Sequence, residues 1–310
     1  MSGSTSVNAE MTERVREAAA QLGYRPNSAA RGLASGVLRN VGVLMPDMTN
    51  PYFSNVLQTV SQQAEKQDYR LVVADSRQRL DQELSICLGL AAQTDALLLL
   101  APRMPAADLK TLARREMPVV IVNRVELGVD LPMIAVDNFS AMLEICTNLA
   151  QLGHRRAVYL AGPRESWQNQ ERWRAVQQAR IFGLEATLVQ TDGTLESGFH
   201  SIEEALKTDP TALIGFNDLV AVGAISALRR KALAVPRDLS VTGFDDSALG
   251  RYTEPRLTTA KSPMLQLGDE AWRLVWTALE GERPENPPLL PAEVVLGQST
   301  GPRPNGKRSL

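Results

Sequence analysis

Asp47, Asn50, Tyr52 and Phe53 follow the apolar run VGVLMP, Asp75 and Ser76 follow YRLVVAD, and Asn123 and Arg124 close PVVIVNR. Further along, Arg172 stands near the start of an amphipathic stretch, Asn217 and Asp218 follow one GF dipeptide, and Asp245 and Asp246 follow another. Most of these sets fall just past a run that reads as β-strand, and in open parallel sheets ligands sit outside the carboxyl ends of the strands. An aromatic pair for stacking, an arginine and several amides and carboxylates suit a polyhydroxylated or anionic small molecule. The same residues have plainer readings. Asp47 and Asp75 can cap helices, Tyr52 and Phe53 can fill a core, Arg172 can lie on the surface, and one of each GF-following pair can be a cap or turn former. The repeated endings GFND and GFDD are the more specific sign, because they put polar groups at equivalent strand ends twice.

Catalytic chemistry fits the sequence poorly. The glycines do not fall as G-x-G-x-x-G after a strand, and neither a phosphate-binding P-loop nor a G-x-S-x-G elbow occurs. Asp245 and Asp246 could pair as carboxylates, but adjacent residues usually point apart and no nucleophile and base accompany them. Cys87 and Cys146 lie in apolar helical sequence, ICLGL and LEICTNL, where they read as small buried hydrophobes. The two histidines, His154 and His200, are not near a cysteine, so no zinc constellation is expected and no cofactor is implied.

The elements that must position the candidates alternate regularly. From Asn40 the order is strand, helix with Phe53, Val56, Val60 and Ala64 on one face, strand YRLVVAD, helix Asp81 to Ala92, strand DALLLLAP, helix Ala106 to Arg115, and strand PVVIVNR. After PMIAVDN a second series follows: helices Ser140 to Leu152, Gln170 to Phe182, Ser197 to Leu206 and Leu219 to Arg230, interleaved with RRAVYLAG, ATLVQTDG, TALIGFND and LSVTGFDD. Continuous rather than alternating apolar runs are the pattern of parallel sheets covered on both faces. The expected fold class is therefore α/β with two Rossmann-like lobes, 39–138 and 139–263. The helix Met264 to Glu280 and its sequel to 288 are assigned to the first lobe, LLPAEVVLG within 289–300 is a returning strand, and 301–310 is a disordered tail.

Length and charge set outer bounds. A chain of 310 residues that is 44% hydrophobic can bury a large core, and a net charge of −2 excludes a wholly basic nucleic-acid binder. Residues 1–39 carry five arginines against three glutamates, so the front is +2 while the whole is negative. No apolar run reaches the roughly 18 residues of a membrane span and the N-terminus has no signal-like pattern, so a cytoplasmic protein without membrane partners is expected. In YRPNSAARGL, Pro26 stops a helix that Asn8 can cap, and Asn27 or Ser28 can cap a second one ending near Leu33. So short a helix needs a partner, whether packing, a second subunit or DNA.

These segments together resemble the lactose/galactose repressor family of bacterial transcription regulators over essentially the whole chain. LGYRPNSAARGL resembles the end of the family's DNA-binding headpiece and its hinge helix, and VGVLMPDMTNPYFSNVL resembles the opening of its effector-binding core. AVDN, LGHRRAVYLAG, GFNDLVAVGA and LSVTGFDDSALGRYTEPRLTT resemble its later signatures, in order. VIVNR and GRYTEPRLTTAKSP are most similar to the galactose-repressor-like branch. The resemblance implies periplasmic-binding-protein-like lobes after a helical headpiece and hinge, a small effector (a sugar or sugar acid) between the lobes, operator DNA as partner, and a homodimer or tetramer. It implies an effector site of Tyr52, Phe53, Asp75, Arg124, Arg172, Asn217 and Asp245. It implies DNA contacts from Tyr24, Arg25, Asn27, Ala30, Arg31 and Leu33, with Leu33 as a wedge in the minor groove. Without that resemblance, Leu33 reads as an ordinary packing leucine.

Two departures from the family pattern accompany the resemblance. Residues 1–38 resemble only the rear of a headpiece, so the front of the helix-turn-helix is expected to be missing, through a late start assignment, a truncation or a real loss. Operator binding by such a form would be weak or absent, since major-groove contacts carry specificity, and a small-molecule-binding protein without DNA recognition is the alternative. Gly32 also sits in the hinge helix, at a cost of roughly 0.5–1 kcal/mol relative to alanine.

Overall fold

The continuous apolar runs become buried parallel strands. The computed structural model describes residues 36–303 together with Met11, Glu13, Arg14, Ala18 and Gln21, which are helical. The hinge residues Tyr24, Arg25, Asn27, Ala30, Arg31 and Leu33 lie outside the described residues. In the first lobe, β1 (Asn40–Met45), β2 (Arg70–Asp75), β3 (Ala96–Leu100), β4 (Val119–Val122) and β5 (Met133–Ile134) form one parallel sheet in the order β2-β1-β3-β4-β5. Side chains alternate between its faces: Val41, Val43 and Met45 pack with α1 (Pro51–Lys66), while Leu44 packs with α2 (Leu80–Ala91) and α3 (Ala106–Ala113).

After β6 (Val136–Asp137) and α4 (Asn138–Gln151) the second lobe repeats the plan. Its strands β7 (Arg156–Ala161), β8 (Glu185–Gln190), β9 (Ala212–Gly215) and β10 (Ser240–Thr242) run parallel in the order β10-β9-β7-β8. One face is covered by α4 and α5 (Trp167–Gln178). The other carries α7 (Ile202–Leu206) and α8 (Asp218–Arg230), against which α6 (Leu195–His200) packs through Phe199. The short α9 (Ala248–Arg251) follows β10, capped by Ser247.

The chain passes between the lobes three times. The first passage is near β6, the second follows β11 (Thr259–Lys261), and the third joins β12 (Leu290–Pro291) to β13 (Glu293–Val295). β12 pairs with β6, β13 pairs antiparallel with β11, and Ala292 packs against the cores of both lobes. Between the second and third passages, α10 (Met264–Leu279) puts Leu267, Ala271, Trp272, Leu274 and Val275 into the core that holds α1. Its close approach depends on Gly268, where an added Cβ would meet Thr59 Cβ at 2.7 Å and Val56 O at 2.9 Å.

Several boundaries differ from the sequence reading for local reasons. Ser166 accepts from the Asn169 amide, so α5 begins at Trp167 rather than Gln170, and its end tightens into a 3-10 turn, Ala179–Phe182, closed by Gly183 at φ 78°. The expected Ser197–Leu206 helix breaks at Ser201. LLPAEVVLG is two short strands serving two different pairings. Residues 301–303 are not a frayed end: Gly301 accepts from buried His154 and donates to Ser240 Oγ, and the Arg303 amide donates to Leu152 O.

Candidate functional site

The strand ends of both lobes face one another across a cleft. On the first lobe, Asn50 caps α1 by accepting from the Tyr52 amide at 3.0 Å, which sets Tyr52 and Phe53 in the first helical turn with their rings edge to face, 5.4 Å apart. The Tyr52 hydroxyl accepts from Asn123 Nδ2 at 2.8 Å. Burial, and after it the charge of Asp245, push that hydroxyl above the usual tyrosine range. Asn123 follows β4 in the left-handed region at φ 61°, and Ala101 does the same after β3 at φ 46°. Two residues past Ala101, Arg103 enters the cleft wall beside Asp47 and Gln78.

Arg103 is held from behind. Buried Glu83 accepts from the backbone amides of Arg103 and Met104, both at 2.7 Å, and Arg103 Nη1 donates to Gln78 Oε1 at 3.0 Å. Its Nε is buried without a hydrogen-bond partner. Burial pulls the Arg103 guanidinium below its ordinary range, opposed by the charges of Glu83, Asp47, Glu165 and Asp192.

On the second lobe, Ser166 caps α5 and places Gln168 and Arg172 one turn apart on it. Arg172 is 3% exposed. Its Nε donates to Asn138 Oδ1 at 2.9 Å, its Nη1 to Phe216 O, and its Nη2 lies 3.5 Å from Asp245 Oδ1, with the Phe244 ring 3.6 Å and the Phe216 ring 4.8 Å from Cζ. Asp245, at φ 111°, has its carboxyl pushed up to about 6 by burial, against the opposing pull of Arg172 and Ser262. Asn217 caps α8 through its Oδ1 and donates from Nδ2 to Gly193 O at 2.9 Å. Asp192 and Gly193 complete this wall after β8.

Of the expected effector residues, Tyr52, Phe53, Arg172, Asn217 and Asp245 line the cleft together. Asp75 and Arg124 do not. Asp75 is used in turn geometry, accepting from the Arg77 amide at 2.7 Å and from Met48 N at 3.4 Å. Arg124 turns behind the wall, where it pairs with Glu126 and donates to the carbonyls of Pro102 (3.0 Å) and Met104 (2.8 Å), bracing the loop that carries Arg103. The sequence reading missed Gln78, Arg103, Ser166, Gln168, Asp192 and Phe216. Arg103 and Asp192 follow strands as directly as Asp75 does, so the strand-end rule applied to DALLLLAP and ATLVQTDG would have found them.

Asp47, Asp192 and Asp245 oppose Arg103 and Arg172 in the lining, so the charges nearly balance. The space left among these side chains is about 40 Å³. The groups offer stacking and hydrogen bonding. The lining holds neither histidine nor cysteine, and among the described residues no three His, Cys, Asp or Glu stand together as a metal site. Asp218, behind the cleft, is 1% exposed, accepts from the Ser247 amide and from Thr259 Oγ1 at 2.6 Å, and has its carboxyl pushed up to about 7 by burial and by Asp245.

Two outcomes follow from this wiring. Arg172→Ala strands the Asp245 carboxylate in a buried place, so it should cost about 3–5 kcal/mol of unfolding free energy. Adding Asp245→Asn should restore part of that in urea titrations, and a single variant as stable as the parent would contradict the assignment. For Asp218, a folded pKa raised from 3.8 to about 7 gives a stability contribution that is full below about pH 4 and lost as pH rises through 7. Asp218→Asn should therefore flatten the fall of melting temperature between pH 4 and 7, and an unchanged slope would refute it.

Comparison with known proteins accords with this architecture. Residues 146–300 match the family described as periplasmic binding protein-like domain. The chain is 28% identical to catabolite control protein A of Priestia megaterium over 309 residues, covering 97% of this chain and 93% of that protein. A solved complex of the transcriptional regulator CelR with cellobiose superposes with a TM-score of 0.75 at 26% identity, over 96% of this chain and 93% of that one. The HTH-type transcriptional repressor CytR of Escherichia coli strain K12 is 30% identical over 295 residues, spanning 93% of this chain and 86% of its own length, and this chain belongs to the LacI/GalR family of ligand-responsive transcriptional repressors.

Proposed function

We propose that this chain is a repressor whose small polar effector, a sugar, sugar acid or related metabolite, binds between the two lobes and changes operator affinity through the hinge. The family is regulatory rather than catalytic. The observation that carries the effector reading is the cleft itself: strand ends of two separate sheets, joined by three crossing segments, bring Tyr52, Phe53 and Phe216 together with Arg103, Arg172 and Asp245. Aromatic faces and convergent donors and acceptors are what a polyhydroxylated ligand needs from a pocket. The cellobiose held by the CelR complex supports the same ligand class. Near balance of charge in the lining favours a neutral sugar over a strongly anionic one.

The DNA side rests on the sequence resemblance. Tyr24, Arg25, Asn27, Ala30, Arg31 and Leu33 supply the hinge contacts, with Leu33 the apolar wedge between base steps. VIVNR and GRYTEPRLTTAKSP support a place in the galactose-repressor-like branch, and HTH-type transcriptional regulator GalS of Salmonella typhimurium is 28% identical over 288 residues. A homodimer, free to pair into tetramers, acts in the cytoplasm. No helix among the described residues is long and apolar enough to cross a membrane.

Footprinting on the DNA flanking the gene, with this chain and with a version extended upstream through any in-frame helix-turn-helix, each with and without a panel of pentoses, hexoses, disaccharides and sugar acids, tests the proposal. The expected result is a pseudo-palindromic footprint that a sugar which also raises the melting temperature strengthens or releases. A footprint indifferent to every sugar that stabilises the protein would refute it.

A further inference from the structure

We propose that Gln168 is a positioning residue that latches the two lobes together. The proposal deepens the two-lobed effector reading. Its physical basis is one hydrogen bond. Gln168 Nε2, on the first turn of α5 in the second lobe, donates at 2.6 Å to the carbonyl oxygen of Asn123, which follows β4 in the first lobe. Away from the crossing segments, no other side-chain hydrogen bond joins the two lobes among the described residues.

Both partners are fixed before they meet. Gln168 is 6% exposed, and its Oε1 accepts at 2.7 Å from Ser166 Oγ, the cap of the same helix. The carboxamide is thus held at both ends and aimed across the cleft. Asn123 is fixed by its left-handed backbone, by its amide, which donates at 2.6 Å to Ile134 O, and by its side chain, which donates to the Tyr52 hydroxyl. Because the rotamer and the turn are already set, forming the bond costs little further ordering.

The bond competes directly with effector. A space of about 40 Å³ cannot admit a sugar, and pockets for small molecules begin near ~300 Å³. An effector therefore enters only when the lobes part, and parting them breaks the bond between Gln168 and Asn123. A neutral hydrogen bond of ordinary net strength shifts such a two-state population by roughly five-fold. Losing the latch should raise the open fraction by about that factor and leave the folded lobes otherwise intact.

Small-angle scattering of the full chain without effector reads this directly. Gln168→Met keeps the length and apolar bulk of the side chain and removes the donor. It should give a larger radius of gyration than the parent while melting as cooperatively. Ser166→Ala, which frees the carboxamide, should move scattering in the same direction by less, and it serves if the methionine variant does not fold. Scattering curves of both variants that superpose on the parent's would overturn the latch. Failure of every sugar to bind would overturn the effector reading and leave the scattering result standing.

Discussion

Taking a guanidinium out of water is costly unless acceptors meet it, and Arg172 finds them on several different elements. Asn138 at the start of α4, the Phe216 carbonyl after β9 and Asp245 after β10 all meet it, with the rings of Phe216 and Phe244 against its flat faces. The polar wall of the second lobe therefore has one arrangement: shifting any of these strand ends would leave a buried charge uncompensated. The Asp245 backbone amide in turn donates to Ala260 O on β11, which joins this wall to a segment that crosses to the first lobe. Arg172 organises the cleft as much as it faces it, with its Nε and one Nη1 hydrogen already donated within the protein.

The architecture was legible in the sequence because parallel strands buried on both faces need continuous apolar runs, and VGVLMP, DALLLLAP and RRAVYLAG have them. The ends of helices were less legible, since Ser166 and Ser201 decide them through cap geometry that hydrophobic periodicity does not encode. Within the site, Tyr52 and Phe53 were visible as aromatics beside a cap, and Asn217 and Asp245 as repeated strand-end polar groups. Asp75 and Arg124 stood at equally good sequence positions and turn elsewhere. What separates them is the path of a few loop residues, such as the positive φ of Ala101 that leads Arg103 to the cleft while Arg124 braces the same loop from behind. The residues that carry the resemblance to a DNA hinge fall outside the described residues, so their role stands on sequence alone.

Two lobes that touch across a nearly filled cleft and are joined by three short crossings make a natural two-state element. The crossings pair with one another, β6 with β12 and β11 with β13, so the lobes are free to rotate about them only as near-rigid bodies. Inside the cleft, the opposing charges leave no strong field to draw an anion, and selectivity must come from the placement of single donors. Arg103 is the one whose buried Nε has no partner within the protein.

If lobe closure is what links effector to operator, the link must be reciprocal, because a coupling free energy has no direction. Isothermal calorimetry of the stabilising sugar against the protein, free and saturated with its operator, measures it most directly. The account predicts that operator changes sugar affinity by the same factor by which sugar changes operator affinity. Equal sugar affinity with and without operator would contradict it.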